Sequence, residues 1–382
     1  MFGKDYKKYF LLDDNIININ NGSFSSVHKD VYKKSEKIRF DIMSNISKFK
    51  MEADEHIAKS QSILGKYINT NPNNIAFTSS TTESLNAVLR SIIFMAGDEI
   101  VVDADIYPTT MRILEFVCGR AGARINKVHI PINADENTVL DKYDLAINPR
   151  TRLLVVEDIK AIDGLKNPLK KIIPIFKDMD IPILVDGAHS VGMVDLNVDE
   201  LGVDWYLGCC HKWLLSAKGA GFIVTEPHNH SMMRSMRISY TYEKPYPHRF
   251  HWVGTNDYTP WLTIGLGIDV INELGQENIS NYCNDLVIQA GKLMSKEFGV
   301  DYSIPSSLST YMSVVKLPKK LQDKKISVEN LQEIFFNNGF NTKIVLLDNV
   351  KYIRISAYIY NDITDYEKFC DAVSKLCDNK LI

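Results

Sequence analysis

Between Asn74 and Val224 the chain alternates short, continuously apolar runs with stretches of helical periodicity. This alternation constrains the fold more than any other feature. The runs are "IAFTSS" (75–80), "EIVVDA" (99–104), "ARINKVHI" (123–130), "RLLVVE" (152–157), "IPILVD" (181–186) and "VDWYLG" (203–208). Between the first two lies "TTESLNAVLRSIIFMA" (81–96), with Leu85, Val88, Leu89 and Ile92 on one helical face, and further helices are expected near 109–119 and 169–179. Strands that are apolar on both faces and separated by helices predict a mainly parallel sheet covered on both sides, an α/β domain of three αβα layers. Such sheets bind their ligands at the carboxyl ends of the strands.

After Pro260 the pattern changes. A long helical stretch is expected from Leu262 towards Phe298, then "TYMSVVKL" (310–317), a helix at 327–338, "TKIVLL" (342–347), "KYIRISA" (351–357) and a helix from Thr364. A few strands with helices on one side predict a smaller α+β domain. The 382 residues suit two domains. The expected division is residues 22–260 for the large one and 1–21 with 261–382 for the small one.

Hydrophobic residues make up 45% of the chain and the formal net charge is −3, so a large core is available and no basic face for nucleic acid or anionic lipid is suggested. The N-terminal "MFGKDYKKYFLLDDNIININ" lacks the apolar core of a signal peptide, and no run has the apolar length that spans a bilayer. The six cysteines, at 118, 209, 210, 283, 370 and 377, have no C-x-x-C spacing. They read as reduced thiols of a cytoplasmic protein. Cys209, Cys210 and His211 lack the second ligand pair of a structural zinc site, so no metal is expected. "TSSTTES" carries no glycine, which argues against a nucleotide-binding turn after the first strand.

Two charged residues stand out. Asp186 ends the apolar strand "PILVD", where the sheet opens towards a ligand. The ordinary reading is a helix cap or turn acid, but a carboxylate leaving an apolar strand needs compensation. Lys212 follows the next strand, framed by Cys209, Cys210, His211 and Trp213. Lysine is rarely placed among apolar residues without a task, and a desolvated lysine loses its proton readily and forms Schiff bases. Gly219 and Gly221 of "KGAGFIV" allow close backbone approach.

The stretches D-G-A-H (186–189), H-K-W-L (211–214) and K-G-A-G-F (218–222) resemble the class V aminotransferase family of pyridoxal-phosphate enzymes, in particular its isopenicillin N epimerase-like branch. "NNGSF" (20–24), "TSSTTESLNAVL" (78–89), "RFHWVGTNDYTPWL" (249–262) and "RISAYIYN" (354–361) agree in the same order along nearly the whole chain. The resemblance implies the pyridoxal 5'-phosphate-dependent transferase fold (fold type I). It also implies an external aldimine with an amino acid or an amino-acid-derived substrate, activated at its α-carbon. Epimerisation is the first expectation, with C–S lyase (β-elimination) or aminotransferase activity as the alternative.

By the same resemblance Lys212 would hold the cofactor and shuttle the α-proton, and Asp186 would keep the pyridine nitrogen charged. His189 would reach the ring, and Tyr107 would stack on its face. Thr81, Thr82 and His211 would bind the phosphate at a helix start. Thr255 would reach the phosphate of the neighbouring subunit's cofactor, implying a homodimer with shared active sites. Arg354 would clamp the substrate carboxylate, and Asn21 would lie near the substrate. Without the motif, Arg354 would be read as pointing out from an exposed sheet face.

Two positions depart from the family. Cys209 stands where relatives carry serine or asparagine, so one phosphate contact is expected to be weakened or replaced. Lys160 and Ala161 stand where relatives carry Asn or Ser/Thr to hold the ring's phenolic oxygen. Lys160 is read as a solvated loop lysine, the other possibility being that it turns inward. No cysteine lies between Cys283 and Cys370, so a desulfurase that uses its own persulfide is not expected.

Overall fold

Six apolar runs become strands, and "GFIV" supplies a seventh. The computed structural model describes residues 2–132, 134–302, 308–323 and 325–378. The strands are β1 (Ile75–Thr78), β2 (Glu99–Asp103), β3 (Arg124–Val128), β4 (Thr151–Glu157), β5 (Ile183–Asp186), β6 (Trp205–Cys209) and β7 (Gly221–Thr225). They form one seven-stranded sheet in the order β1-β7-β6-β5-β4-β2-β3. All pairings are parallel except those of β7, which runs antiparallel to β1 and β6.

Apart from the edge strand β3, the strands are largely apolar because both faces are covered. Val102, Val155, Leu184, Leu207 and Ile223 pack against Leu85, Val88 and Leu89 of α2 (Thr81–Ser91) and Ile113, Leu114 and Val117 of α3 (Pro108–Ala121). Their alternating neighbours, among them Val101, Leu154, Val156, Val185, Tyr206 and Phe222, are equally buried on the opposite face. Full burial of one such side chain contributes about 1.5–3 kcal/mol.

The chain divides into two compact units. The larger comprises residues 30–159 and 167–273, and the smaller comprises 1–29, 160–166 and 274–382. In the smaller unit β8 (Met312–Lys316), β9 (Lys343–Leu347) and β10 (Val350–Ser356) form an antiparallel sheet with β10 in the centre. Leu286, Val287 and Met294 of one helix, Phe335 of a second and Phe369 and Val373 of a third enclose its core with Val315, Ile344, Ile353 and Ile355. Ile17–Asn18 pairs in parallel with Phe340–Asn341, which ties the N-terminal segment to this unit.

Two helices are shorter than the sequence suggests. The helix expected over 81–96 stops at Ser91, where Ile92 turns extended (φ −77°, ψ 133°). A tight turn competes with it: the Asp98 carboxylate accepts from Met95 N at 2.8 Å, and Gly97 adopts φ +91°. The long stretch from Leu262 is two helices, Ile264–Leu274 and Gln276–Phe298, broken at Gly275 with φ +79°. A left-handed backbone suits glycine and ends the first helix.

A buried hydrogen-bond chain anchors the segment before residue 255. Gln61, on the helix α1 (Ile46–Ile68), donates to Ile75 O at 2.6 Å and lies 3.1 Å from His251 Nε2. The Gln61 amide is thereby fixed with its NH₂ towards the ring, so His251 Nε2 accepts and its proton sits on Nδ1, 3.0 Å from Asp54 Oδ1. Among the described residues Asp54, His248 and His251 are also the one cluster with converging metal-ligand atoms. The proton on His251 Nδ1 and the Lys244 ammonium 3.0 Å from Asp54 Oδ2 fill it without an ion.

Burial lowers the His251 pKa from 6.5 to about 4. The unfolded chain therefore binds one more proton than the native one between about pH 4 and 6.5, and stability rises with pH across that window. Urea midpoints of the wild type should fall as pH drops from 7 towards 4.5, and His251→Asn should flatten the fall. Equal slopes for the two proteins would refute the assignment.

Candidate functional site

The strand register brings the strand ends that carry Thr81, Thr82, Asp186, His189, His211 and Lys212 to one edge of the larger unit's sheet. Gly221 lies opposite both Thr78 and Cys209, and Asp186 lies between Leu207 and Glu157. The carboxyl ends of β1, β4, β5 and β6 thus share an edge with the start of β7. The segments at the ends of β1, β5 and β6 carry Thr81, His189 and Lys212.

Asp186 is buried and accepts a hydrogen bond from Ala188 N at 3.0 Å. Burial pushes its carboxyl up, opposed by that N–H and by the Lys212 charge. The helix-cap reading does not describe it, because the residues after Asp186 form a turn. Gly187 is required in that turn, since a Cβ there would sit 2.2 Å from the Tyr206 hydroxyl.

Lys212 Nζ lies 3.2 Å from His189 Nε2, and Trp213 Nε1 donates to His189 Nδ1 at 3.3 Å. The indole fixes the tautomer: neutral His189 carries its proton on Nε2, the nitrogen that faces the lysine. His189 is buried, whereas Lys212 keeps partial access to solvent. Sequence reasoning named all three residues but assigned Trp213 no role.

The anion-binding end is built from α2. Ser80 caps the helix by accepting from Glu83 N at 3.2 Å, and Glu83 Oε2 accepts from Ser79 N at 2.7 Å. With capping done by Ser80, the Thr81 hydroxyl is left buried at the helix start beside the Cys209 thiol. A hydroxyl donor at a helix N-terminus suits an anion. Thr82 is exposed beside it.

His211 and Lys218 add charge control. His211 Nδ1 lies 3.0 Å from Ala220 O and 3.2 Å from Ala220 N, and burial with the charges of Lys218 and Lys212 lowers its pKa to about 4. Lys218 donates to His211 O at 3.2 Å. The residue is partly open to solvent, yet burial by the surrounding protein lowers its pKa to about 8. The sequence reading missed Lys218, although the K-G-A-G-F motif contains it. Cys209 spends its thiol proton on Ala188 O at 3.3 Å, and burial pushes that thiol up. Tyr107 precedes α3 with its ring 41% exposed, and Thr255 is exposed on the loop before Tyr258.

In the smaller unit Arg354 is 4% exposed, which overturns the outward-pointing alternative. On β10, its Nη2 donates to Asn20 Oδ1 at 3.0 Å and to Ser23 Oγ at 2.7 Å, and its Nη1 donates to Ala161 O. Asn20 and Ser23 were missed in the sequence, though both belong to "NNGSF". Asn21 is fully buried. Its Oδ1 accepts from the Tyr360 hydroxyl at 2.8 Å, and its Nδ2 has no partner among the described residues. Gly22 fits because a Cβ would stand 2.5 Å from Met312 Sδ. Lys160 contradicts the solvated-lysine expectation: it is 4% exposed, with Nζ 3.1 Å from Asp163 Oδ2. An ion-paired lysine can enter the interior at a cost that an isolated one cannot meet.

The aminotransferase class-V family profile matches residues 23–369. The hercynylcysteine sulfoxide lyase of Schizosaccharomyces pombe is 23% identical, over 99% of this chain and 98% of its own. The isopenicillin N epimerase of Streptomyces clavuligerus is 25% identical, with 96% of both chains covered. The cysteine desulfurase of Thermococcus onnurineus NA1, solved in its apo form, superposes with a TM-score of 0.82 over 99% of both chains at 18% identity.

Gly221→Ala tests the edge geometry. Its Cβ would lie 2.6 Å from Ser80 C and 2.7 Å from Ser80 N. The variant should lose about 1–3 kcal/mol of stability, while Gly119→Ala, with nothing within 4 Å, should be neutral or slightly stabilising. Equal urea midpoints for the two variants would argue against the close contact.

Proposed function

The chain belongs to the aminotransferase class-V family, and we propose that it is a pyridoxal-phosphate enzyme that removes the α-proton of an amino acid substrate. The observation that carries this reading is the convergence of an amine (Lys212), a buried acid (Asp186) and a buried hydroxyl at a helix start (Thr81) at one sheet edge. These groups fit a phosphorylated pyridine aldehyde, with an amine for the aldehyde, an acid for the ring nitrogen and a donor for the phosphate. When bound, the cofactor supplies an electron sink that acidifies the substrate's α-C–H bond.

The chain's own residues supply the rest. Lys212 is the group that binds the aldehyde and carries the α-proton, beside the His189 ring that Trp213 orients. Asp186 keeps a positive charge on the ring nitrogen, for which its buried oxygen is suited. Thr81, Thr82 and His211 bind phosphate, and a neutral His211 offers its ring nitrogen without adding charge at pH 7. Tyr107 covers the ring face. Arg354 and Asn21 bind the substrate carboxylate. Thr255 serves a second copy's phosphate, so the working form is a homodimer in the cytoplasm.

Removal of the α-proton leads to two outcomes. Returning it to the opposite face inverts the centre, as the epimerase relative's name describes. Expelling a substituent from the β-carbon breaks a C–S bond, as the lyase relative's name describes. Cys283 and Cys370 are buried within helices, which supports a reaction without a persulfide on the chain.

With added pyridoxal phosphate the protein should gain a visible absorption band that borohydride bleaches, and Lys212→Ala should abolish it. A chain that stays colourless refutes the reading. In deuterium oxide, α-proton exchange without keto acid would assign epimerisation, and pyruvate release from cysteine conjugates would assign lyase action.

A further inference from the structure

The segment 160–166 belongs to the smaller unit although the residues on both sides of it belong to the larger. It is a closed, tightly bonded loop. Lys160 N donates to Leu165 O at 2.8 Å, and Gly164 N donates to Lys160 O at 2.9 Å. Asp163 Oδ1 accepts from Leu165 N at 2.9 Å, while Asp163 Oδ2 lies 3.1 Å from Lys160 Nζ. The two charged side chains are 6% and 2% exposed. Gly164, at φ +80°, lies flat on Met312, and the Thr310 hydroxyl donates to Gly164 O at 2.6 Å.

The loop presents one group to the functional residues of its unit. Ala161 O accepts from Arg354 Nη1, while Asn20 and Ser23 hold Nη2. The guanidinium plane is therefore set by three acceptors, and one of them is only as well placed as the loop that carries it. A buried charge pair spanning three residues, together with the backbone hydrogen bonds that close the loop, fixes both its path and its pitch. Rigid second contacts of this kind hold a binding group at its working geometry.

We propose that the Lys160–Asp163 ion pair is a positioning device for Arg354, and that it sets selectivity for amines bearing an α-carboxylate over amines without one. This rests on the reading of Arg354 as the carboxylate clamp. Lys160 and Asp163 are positioning residues, since they act through the Ala161 carbonyl.

The test compares the holoenzyme with the double variant Lys160→Met/Asp163→Asn, which removes both charges and leaves no lone ion buried. Spectral titration with cysteine against cysteamine, and with alanine against ethylamine, gives the preference for the carboxylate. The double variant should lose at least tenfold of that preference while its affinity for the plain amines stays unchanged. General destabilisation would weaken both ligands alike. An unchanged preference, or equal weakening of both ligands, overturns the proposal. Thr310→Val, which removes the other tether of the loop without touching charge, should shift the preference in the same direction and stands in if the double variant does not fold.

A second readout does not depend on the cofactor. Phenylglyoxal modification of Arg354 in the ligand-free chain, followed by peptide mass spectrometry, should run at least fivefold faster in the double variant. An equal rate overturns the positioning role. Failure of the wild type to develop the visible band would instead overturn the functional reading, which keeps the two claims separable.

Discussion

A carboxylate held in an apolar interior is the constraint on which the larger unit's site depends. Asp186 ends a strand whose other residues are fully buried, so its ionised form is tolerable only with an opposing charge at hand. The sheet meets that need by register. Parallel pairing of β5 with β6 brings the end of each strand to the same edge, and the chain leaving β6 delivers Lys212. Gly187 and Gly221 permit the close approaches that keep this edge compact. Trp213 fixes the His189 ring, whose Nε2 lies 3.2 Å from the Lys212 nitrogen.

The smaller unit solves a different problem. It buries a guanidinium, and it does so with three neutral acceptors on two segments, Asn20 and Ser23 near the N-terminus and Ala161 in the inserted loop. Such a cation retains its charge and its planar fork for a ligand carboxylate. Asn21, with its amide donor unmatched, lies on the same short segment.

Much of this was legible in the sequence because the strands are apolar on both faces, a pattern that hardly any other element produces at that length. The positions of Asp186 and Lys212 followed from the strand ends. The helix starting at Thr81 was legible at its polar start but not at its end, where the Asp98 turn competes with helical periodicity through Ile92. Gly275 sat inside a convincing helical pattern, and only its left-handed backbone reveals the break. Lys160 was misread because a lysine followed three residues later by an aspartate looks the same in an exposed turn as in a buried one. Ser23 and Asn20 became visible only once the long-range contact with Arg354 was known.

The central claim is a covalent bond between the Lys212 amine and the cofactor's aldehyde carbon. Borohydride reduction of the protein loaded with pyridoxal phosphate, followed by proteolysis and mass spectrometry, reads that bond directly. The account predicts a single phosphopyridoxyl label on the peptide that contains Lys212. A label on Lys160 or Lys218 instead, or no label on any peptide, would contradict it.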